Sequence, residues 1–574
     1  MRHLSITHFH KTAGYAFILI FSLLAGVLLT GQLLGFCGIY YTWLVIPLSL
    51  LLTGLIAVVL IKKALPLLLR LAEPEPGMEK RPILDVCGYL AGGLLLLLLI
   101  VPLALWPHTG INQDLTWDAG LYHLPKAVEL VTSHSTWDFT IAYGEYPWGY
   151  ESLAAFSFLF SSDGSLLGVV HALIAVLFAL AFFFLAARFT HLPRGLLFFG
   201  VMAVICSFDL ARGIESNPWW VFRPLIFTIG KNDLFLAAAI LSLLAFSPLG
   251  LRGSGKVYSL EGAILAATLV ISTKPNGLLI AGFALALVLL CEIQTARREQ
   301  WSPTRLAKRY VPAGLILFTG LLWAVRNLVG LGQVISADSL NLQQWSILSN
   351  LSNPFFYQHI DLNIKVTLAL FLVSIAAACF YRNYHWTIPL TFFILIVTFA
   401  ATPASAFVGS TQQPAQIAWR FGAALLAFEF TALLGVGEPA VQRLGKLIMK
   451  PAEWIIGIVI LFVAVWGCWQ NLAWLNTDPQ NTRVLRDYFP EPVGEDGYYS
   501  AYDYVQKNVR GAVVWVENGL PFYVYGPGLT NTVTRARPAD YLVFFKAGDF
   551  PAAPPSAAWL LVYEDREGRV YQRR

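Results

Sequence analysis

Charged residues are scarce in this chain. Asp, Glu, Lys and Arg make up 13% of its 574 residues, whereas hydrophobic residues make up 57%. Soluble domains carry roughly 25% charged residues, so about half of the usual charge is missing. The net charge of +5 is spread over short loops and does not indicate a nucleic-acid partner. These shortages indicate a membrane protein.

Several motif classes are also missing. No CxxC or Cys/His ligand spacing occurs, and no Rossmann or Walker motif is visible, so disulfides, metal-binding cysteines and nucleotide-binding loops are not indicated. No A-x-A-like cleavage site follows the basic N-terminal segment, which predicts a retained first helix. No internal repeat stands out, which weakens the case for an inverted-repeat transporter. We expect the cysteines to be small buried hydrophobes: Cys37, Cys87, Cys206, Cys291, Cys379 and Cys468.

Long apolar runs are abundant. Each is long enough to cross a hydrocarbon core as a helix, and together they predict an α-helical polytopic membrane protein with about 13 transmembrane helices. The predicted spans are 13–36, 41–61, 83–106, 164–187, 195–210, 232–248, 258–273, 276–292, 311–329, 365–381, 386–403, 420–437 and 453–474.

Positive charges predict the topology. With the N-terminus in the cytoplasm, almost every short loop on the inner side is basic, as the positive-inside rule requires. The long loop 107–163, the loops near 211–231, 330–364 and 404–419, and the tail after Leu475 then lie on the outer face.

The chain beyond Leu475 lacks apolar runs of span length and has the patterns of a short helix and strands. "YYSAYDYVQKNV" predicts a short amphipathic helix, and "GAVVWVENG", "DYLVFFKAG" and "AWLLVYEDREGRVYQ" predict strands, the last as a hairpin turning at Glu567–Gly568. We therefore predict two domains. Residues 1–475 form the multi-pass domain with the outer loop 107–163, and residues 476–574 form a small extracytoplasmic α/β domain.

The first large outer loop carries the acidic candidates. At helical spacing Asp114, Asp118 and Tyr122 share one face, and Glu145 and Glu151 follow in "YGEYPWGYESL". Two separated acidic points can hold a divalent metal ion, or they can supply a general base for an acceptor hydroxyl. The alternative is a solvated loop whose acids cap helices.

Cations stand at several predicted outer-face span ends. Lys274 in "STKPNG" is the most informative, because it lies between two short spans with almost no loop. A charge at membrane depth indicates function, and cations opposite an acidic loop can neutralise a lipid phosphate. The alternative is that each long side chain snorkels to the headgroups. The set is Arg212, Arg223, Lys231, Lys274, Arg326 and Arg420.

Six motifs occur in order: "WDAGLYHLP", "YPWGYESLAA", "GKNDLFLAA", "TKPNGLL", "WAVRN" and "AWRFGAALLA". Together they resemble the bacterial multi-pass glycosyltransferases of the C superfamily, the group of protein O-mannosyltransferases and lipid A aminoarabinose transferases, in particular members with a "D-x-x-x-YHLP" first loop. The resemblance spans roughly residues 105–440. The chain departs from the common plan in two extra spans before residue 83, in Ala119 where an acidic pair is usual, and in "YPWG" where many relatives have Pro-Pro.

The resemblance implies a glycosyltransferase C-type fold and a hexosyl- or pentosyltransferase. It would use a polyprenyl-phosphate-linked sugar at the outer face of the cytoplasmic membrane, with a glycan, lipid or protein acceptor. Asp118 would be the catalytic base, and Glu145 would orient the acceptor or share a divalent cation (Mg²⁺ or Mn²⁺) with Asp118. The implied substrate-binding residues are Tyr122, His123, Lys231, Asp233, Lys274, Arg326 and Arg420, and among them Lys274, Arg326 and Arg420 would hold the donor phosphate.

Two other classes of function stay open at this point. A transporter or flippase of lipid-linked saccharides or a small solute would use the same charges as a substrate path without bond chemistry. A structural or assembly protein would only display the tail domain. Transfer of sugar by the purified protein separates the first class from both.

Overall fold

Apolar helices dominate the structure, a computed structural model. It describes residues 2–72, 81–105, 118–162, 164–190, 192–206, 222–248, 258–334, 361–380, 386–401, 422–447, 450–476, 500–518, 520–534, 538–545, 556–564 and 568–574.

Fourteen helices precede residue 335 in the described ranges. They are α1 (Arg2–Phe36), α2 (Thr42–Lys63), α3 (Leu65–Ala72), α4 (Pro82–Ala104), α5 (Leu124–Thr132), α6 (Gly149–Phe158), α7 (Leu167–Ala186), α8 (Arg194–Ile205), α9 (Phe222–Phe227), α10 (Asp233–Phe246), α11 (Leu260–Ile271), α12 (Gly277–Arg298), α13 (Pro303–Gly320) and α14 (Leu322–Leu331). A π-helical turn, Ala119–His123, leads directly into α5.

Five further helices and a sheet follow in the described part of the chain. The helices are α15 (Asp361–Phe380), α16 (Thr387–Ala400), α17 (Ala423–Leu447), α18 (Lys450–Asn476) and α19 (Ser500–Asn508). The strands are β1 (Val513–Asn518), β2 (Thr532–Thr534), β3 (Tyr541–Phe545), β4 (Trp559–Glu564) and β5 (Gly568–Arg573).

Six of the described helices are long and apolar enough to cross a membrane, and the bent pair α13–α14 makes a seventh span if counted as one. Six shorter apolar helices accompany them. The prediction of a polytopic helical protein is confirmed, while its exact number of crossings stays a prediction. The six long helices are Phe9–Phe36, Thr42–Lys63, Pro82–Ala104, Leu167–Ala186, Gly277–Arg298 and Ala452–Gln470.

The exposed surface of these helices is apolar. On α18, for example, Ile455 and Ile458 are 64% and 63% exposed. Apolar patches of this kind on long helices are buried by lipid, because water would otherwise be ordered against them. The same geometry corrects one expectation about the cysteines. Cys206 is buried, but Cys37 and Cys379 are exposed, because their positions face outward from the helix bundle.

Polar contacts connect neighbouring elements at each of the two ends of the helix bundle. At one end, the Trp137 indole N–H donates to the carbonyl of Phe36 at 2.7 Å, which ties the first outer loop to the end of α1. At the other end, Arg81 before α4 lies 3.5 Å from Glu453 of α18, and Arg188 after α7 donates to a carbonyl at the end of α10 at 2.7 Å. We call these the loop end and the basic end. The predicted alternation of helix directions stays a prediction.

The tail beyond residue 500 is a small α/β unit, as predicted. Its sheet has the order β2-β1-β3-β5-β4. Strand β1 pairs in parallel with β2 and β3, and β5 pairs antiparallel with β3 and β4, so the predicted hairpin is present. Helix α19 forms from the amphipathic segment and packs Ala501 and Val505 against the sheet core. The short strand β2 was not predicted.

Candidate active site

Asp118 lies at the start of the π-helical turn and forms an ion pair. Its Oδ2 is 3.0 Å from Nζ of Lys231, whose side chain is buried, whereas the side chain of Asp118 is 25% exposed. Pro125 follows in the first turn of α5. The pair connects the first loop with the segment before α10. Asp118 is therefore an accessible carboxylate held by an inaccessible cation.

A second ion pair involves Asp233, two residues after Lys231. Nζ of Lys274 donates to Oδ1 of Asp233, and both side chains are largely buried. Asp233 is the first residue of α10, where the helix dipole favours a negative charge. The Asn232 amide donates to the carbonyl of Thr273 at 3.3 Å. Residues 231–233 therefore connect Asp118 with the turn that carries Lys274.

Close backbone packing brings the first loop onto the same turn. The N–H of Gly149, the first residue of α6, donates to the carbonyl of Ser272 at 2.8 Å. A Cβ at position 149 would lie 2.3 Å from that carbonyl oxygen, so only glycine fits. The glycine in "YPWGYES" thus joins two motifs that are far apart in sequence.

His123 and Glu151 form a buried pair. Nδ1 of His123 lies 2.6 Å from Oε1 of Glu151. Burial lowers the pKa of His123, although Glu151 opposes the shift. Burial also raises the pKa of Glu151, but Lys126 and His123 outweigh it and hold that pKa below its usual range. A neutral imidazole therefore donates to an ionised carboxylate, which fixes the orientation of α5 against α6.

Lys126 is the functional candidate that the sequence analysis missed. It is only 1% exposed, and no hydrogen bond or ion pair reaches its ammonium group from the described residues. Its Nζ instead lies 5.9, 6.0 and 5.5 Å from the ring centres of Tyr122, Tyr146 and Trp148, a cation–π geometry. Burial lowers its pKa to about 8, although Glu151 opposes the shift. Glu151 and Glu145 act on this charge from beyond ion-pair distance, and a buried cation without an anion in direct contact is costly unless something else binds it.

Arg326 is placed differently from its prediction. We expected it at a water–lipid boundary, but it is 1% exposed. Its guanidinium donates to the carbonyls of Thr136 at 2.7 Å and Gly144 at 2.8 Å and to the side chain of Asn327 at 2.7 Å. The sequence could not show this, because the acceptors are backbone atoms of a distant loop. Arg326 therefore braces the loop, and its contact with a phosphate stays a prediction.

Glu145 lies on the braced loop. Its backbone carbonyl accepts from Asn327 at 2.6 Å, while its buried Oε1 has no hydrogen-bond partner in the described part of the chain. Neighbouring Tyr143 has a φ of 54°, which is unusual for a large side chain and common at functional sites. Burial, together with the charges of Asp118 and Glu145, raises the pKa of Tyr143. The negative charges of Asp118 and Glu145 therefore both favour the protonated form of the exposed Tyr143.

Asp138 and Tyr122 have ordinary local contacts. Oδ1 of Asp138 accepts from the N–H of Thr140 at 2.7 Å and from its hydroxyl at 2.6 Å, as expected for a turn acid. The ring of Tyr122 is packed at 4.8 Å from that of Tyr143. Three further candidates lie outside the described residues, and for a fourth the side chain does: Asp114, Arg212 and Arg420, and Arg223.

The described residues contain no group of three or more His, Cys, Asp or Glu side chains placed to hold a metal ion. Asp118 is already paired with Lys231, and a divalent cation needs several oxygen ligands. The divalent cation predicted for Asp118 and Glu145 stays a prediction.

Fold and site together define a polytopic helical membrane protein with buried charges gathered at its loop end. No family model matches the chain, and no curated protein matches it. Two solved structures are similar to it. One is ArnT from Cupriavidus metallidurans bound to undecaprenyl phosphate, with 18% identity, a TM-score of 0.45 and coverage of 83% of this chain and 98% of that chain. The other is the same protein in the apo state, with 14% identity, a TM-score of 0.42 and coverage of 84% and 98%.

Proposed function

We propose that this chain is a membrane glycosyltransferase of the C superfamily. It transfers a hexosyl or pentosyl group from a polyprenyl-phosphate donor to a glycan, lipid or protein acceptor. The observation that carries the proposal is the pairing of Asp118, accessible and acidic, with buried Lys231 at 3.0 Å. A general base must reach the acceptor and must also be held in one orientation, and this pair meets both needs.

The reaction is a displacement at the anomeric carbon. The acceptor oxygen forms a bond to that carbon, Asp118 takes the acceptor proton, and the bond from carbon to phosphate oxygen breaks. The electron pair leaves with the polyprenyl phosphate. A single displacement of this kind inverts the anomeric configuration.

The leaving phosphate needs positive charge that is held in place beforehand. Lys126 suits this role because its ammonium is buried beside three aromatic rings and has no carboxylate at ion-pair distance among the described residues. Lys274 and Arg326 already have protein partners, so we assign them to the frame of the site and Lys126 to direct contact. Arg420 and Asp233 remain proposed neighbours of the phosphate.

The acceptor side of the site is built from the first loop. Glu145 offers a carboxylate oxygen without a hydrogen-bond partner in the described structure, which can orient an acceptor hydroxyl toward Asp118. Tyr122 and the exposed Tyr143 offer aromatic faces for a sugar ring. His123, fixed by Glu151, holds this face in position.

The active site and the tail domain are proposed to face outward from the cytoplasmic membrane. Cys37 provides a native reporter, because it is exposed and adjoins Phe36 at the loop end. An impermeant maleimide should label it on intact cells. Labelling of Cys37 only after lysis would reverse the proposed orientation.

Sugar transfer tests the function directly. Purified protein in nanodiscs is given a radiolabelled polyprenyl-phosphate sugar and a membrane extract as acceptor, and labelled product and free polyprenyl phosphate are measured together. Release of the lipid phosphate in step with product formation supports the proposal. A protein that binds the donor but never cleaves it contradicts the proposal.

A transporter of lipid-linked saccharides is the second candidate. It is favoured by one observation, the 52° bend between α13 and α14, since broken helices line substrate paths in transporters. The same protein in liposomes should then move the labelled donor between leaflets without cleaving it.

A further inference from the structure

The π-helical turn that begins at Asp118 has a second side, which faces the tail domain. Leu121 packs against the core of that domain, which includes Ala501, Val505 and Leu520. Gly120 is buried, and a Cβ built there would meet Cδ1 of Leu520 at 3.1 Å and its Cβ at 3.2 Å. The tail domain therefore contacts the residues directly after the proposed base.

Leu520 is itself held firmly. It is buried, and its backbone N–H donates to the hydroxyl of Tyr502 in α19. It leads into a 3₁₀ turn, Pro521–Val524. Leu520 is thus a fixed part of the tail domain and not a mobile side chain resting on the surface.

Two more contacts from the same segment reach the helices around the site. The hydroxyl of Tyr525 donates to Oε1 of Glu129 in α5 at 3.0 Å. The ring of Phe522 lies 5.9 Å from that of Phe158 in α6. We call residues 520–525 the docking segment. It contacts the π-helical turn, α5 and α6, the elements that carry His123, Lys126 and Glu151.

A π-helical turn has little stability of its own. It replaces the regular α-helical hydrogen bonds over one turn, and such turns concentrate at functional sites. Here it also contains Gly120, which loses more backbone freedom on ordering than any other residue type. The position of Asp118 therefore depends on contacts from outside the turn, of which the ion pair with Lys231 is one.

We infer that the tail domain is a positioning device for the active site: its docking segment holds the π-helical turn so that Asp118 faces the substrate. Leu520 and Tyr525 are positioning residues and not catalytic ones. For its activity readout the inference rests on the proposed function, but its structural content can be tested without any enzymatic assay.

A size-swap series tests the contact in the full-length protein. Gly120→Ala requires a shift of a few tenths of an ångström between the turn and Leu520, and we expect a lower kcat with the donor KM changed less than twofold. Leu520→Ala leaves a gap and lowers kcat by a smaller factor. The double variant Gly120→Ala/Leu520→Ala adds one methyl group and removes Cγ and both Cδ atoms of Leu520, which relieves the contacts at 3.1 and 3.4 Å and leaves the contact with Cβ at 3.2 Å. It should recover part of the activity relative to Gly120→Ala alone, which a general folding defect would not do.

Matched controls exist in the same chain. Gly93→Ala adds a methyl group where nothing lies within 4 Å, and Leu560→Ala truncates an exposed leucine of β4, away from the docking segment. Both should behave like the wild type. Tyr525→Phe removes only the hydrogen bond to Glu129 and should give the mildest loss of the docking variants.

Amide hydrogen exchange separates the two proposals. In Leu520→Ala, peptides covering 119–126 should exchange at least tenfold faster than in the wild type, while peptides from α12 should not change. If the wild type transfers no sugar but this change appears, the proposed function fails and the inference stands. If exchange at 119–126 is unchanged and the double variant shows no recovery, the inference is wrong even for an active enzyme.

Discussion

The two ends of the helix bundle both bury charged groups, but they treat them differently. At the basic end, Glu292 of α12 has both carboxylate oxygens doubly hydrogen-bonded. Oε1 accepts from Tyr258 at 2.7 Å and from Arg309 at 2.9 Å, and Oε2 accepts from Arg309 at 2.6 Å and from Tyr310 at 3.1 Å. At the loop end, Lys126 has no carboxylate at ion-pair distance among the described residues, although Glu151 and Glu145 act on its charge from farther away. Oε1 of Glu145 has no hydrogen bond in the same part of the chain.

The difference indicates which cluster is structural and which is functional. A buried carboxylate with all its acceptor positions filled stabilises one arrangement of helices, and nothing is left for a ligand. Polar groups left without partners in a buried site cost stability and persist where a substrate completes the set. We therefore expect a ligand at the loop end and not at the Glu292 cluster.

The largest expected effect concerns Asp118. A general base contributes typically 10²- to 10⁴-fold to rate, so Asp118→Asn should lower kcat by about that factor. The control is Asp138→Asn, because Asp138 bonds only within its own turn and should keep near-normal turnover. Initial rates with saturating donor decide the matter. Normal turnover in Asp118→Asn would falsify the assignment of the base.

Lys126→Met should separate binding from stability. Hydrogen bonds to charged groups contribute about 1.5–3 kcal/mol, so donor affinity should fall about ten- to a hundredfold. Thermal stability should change little, because the variant removes the desolvation of a buried cation while Glu151 loses a nearby positive charge. Lys126→Arg should keep much of the affinity. A destabilised Lys126→Met protein with normal donor affinity would make Lys126 a structural residue like those of the basic end.

Glu292→Gln should show the reverse pattern. Arg309 loses its anionic partner, and since Arg309 is 31% exposed we expect a loss of about 2 kcal/mol in unfolding free energy. The kcat of the folded protein should stay within twofold of the wild type. The matched control is Glu299→Gln, which affects a surface pair with exposures of 56% and 44% and should change stability by about 0.5 kcal/mol or less. A large fall in kcat for Glu292→Gln would end the distinction between the two ends.

The smallest effect is the dependence on pH. Because the pKa of Lys126 is lowered to about 8, about a tenth of its ammonium remains at pH 9, and donor affinity should fall about tenfold between pH 7 and pH 9. A donor phosphodiester does not titrate in this window. Stability moves the other way: between about pH 8 and the unfolded value of 10.5 the unfolded chain binds more protons, so this group's contribution to stability rises with pH. Lys126→Arg should flatten the affinity profile, and an unchanged profile would exclude Lys126 from donor binding.

The sequence by itself determined the local features of this protein. Apolar runs of span length, the amphipathic segment that forms α19 and the alternating strands of the tail are patterns within short windows, and their physical causes are equally local. The acidic first loop with Asp118 was also visible, because an Asp beside a membrane span is conspicuous among so few charges. Strand β2 was missed because three residues carry no periodicity and its pairing with β1 depends on a distant segment.

The tertiary structure alone decided which charges meet. Asp118 pairs with Lys231, Arg326 donates to the carbonyls of Thr136 and Gly144, and Lys126 lies beside aromatic rings without an ion pair among the described residues. No spacing rule predicts these outcomes, because the partners lie on different helices and several of them are backbone atoms. Burial and hydrogen-bond geometry are properties of the packed bundle, and they decide whether a charge braces the fold or remains available to a substrate.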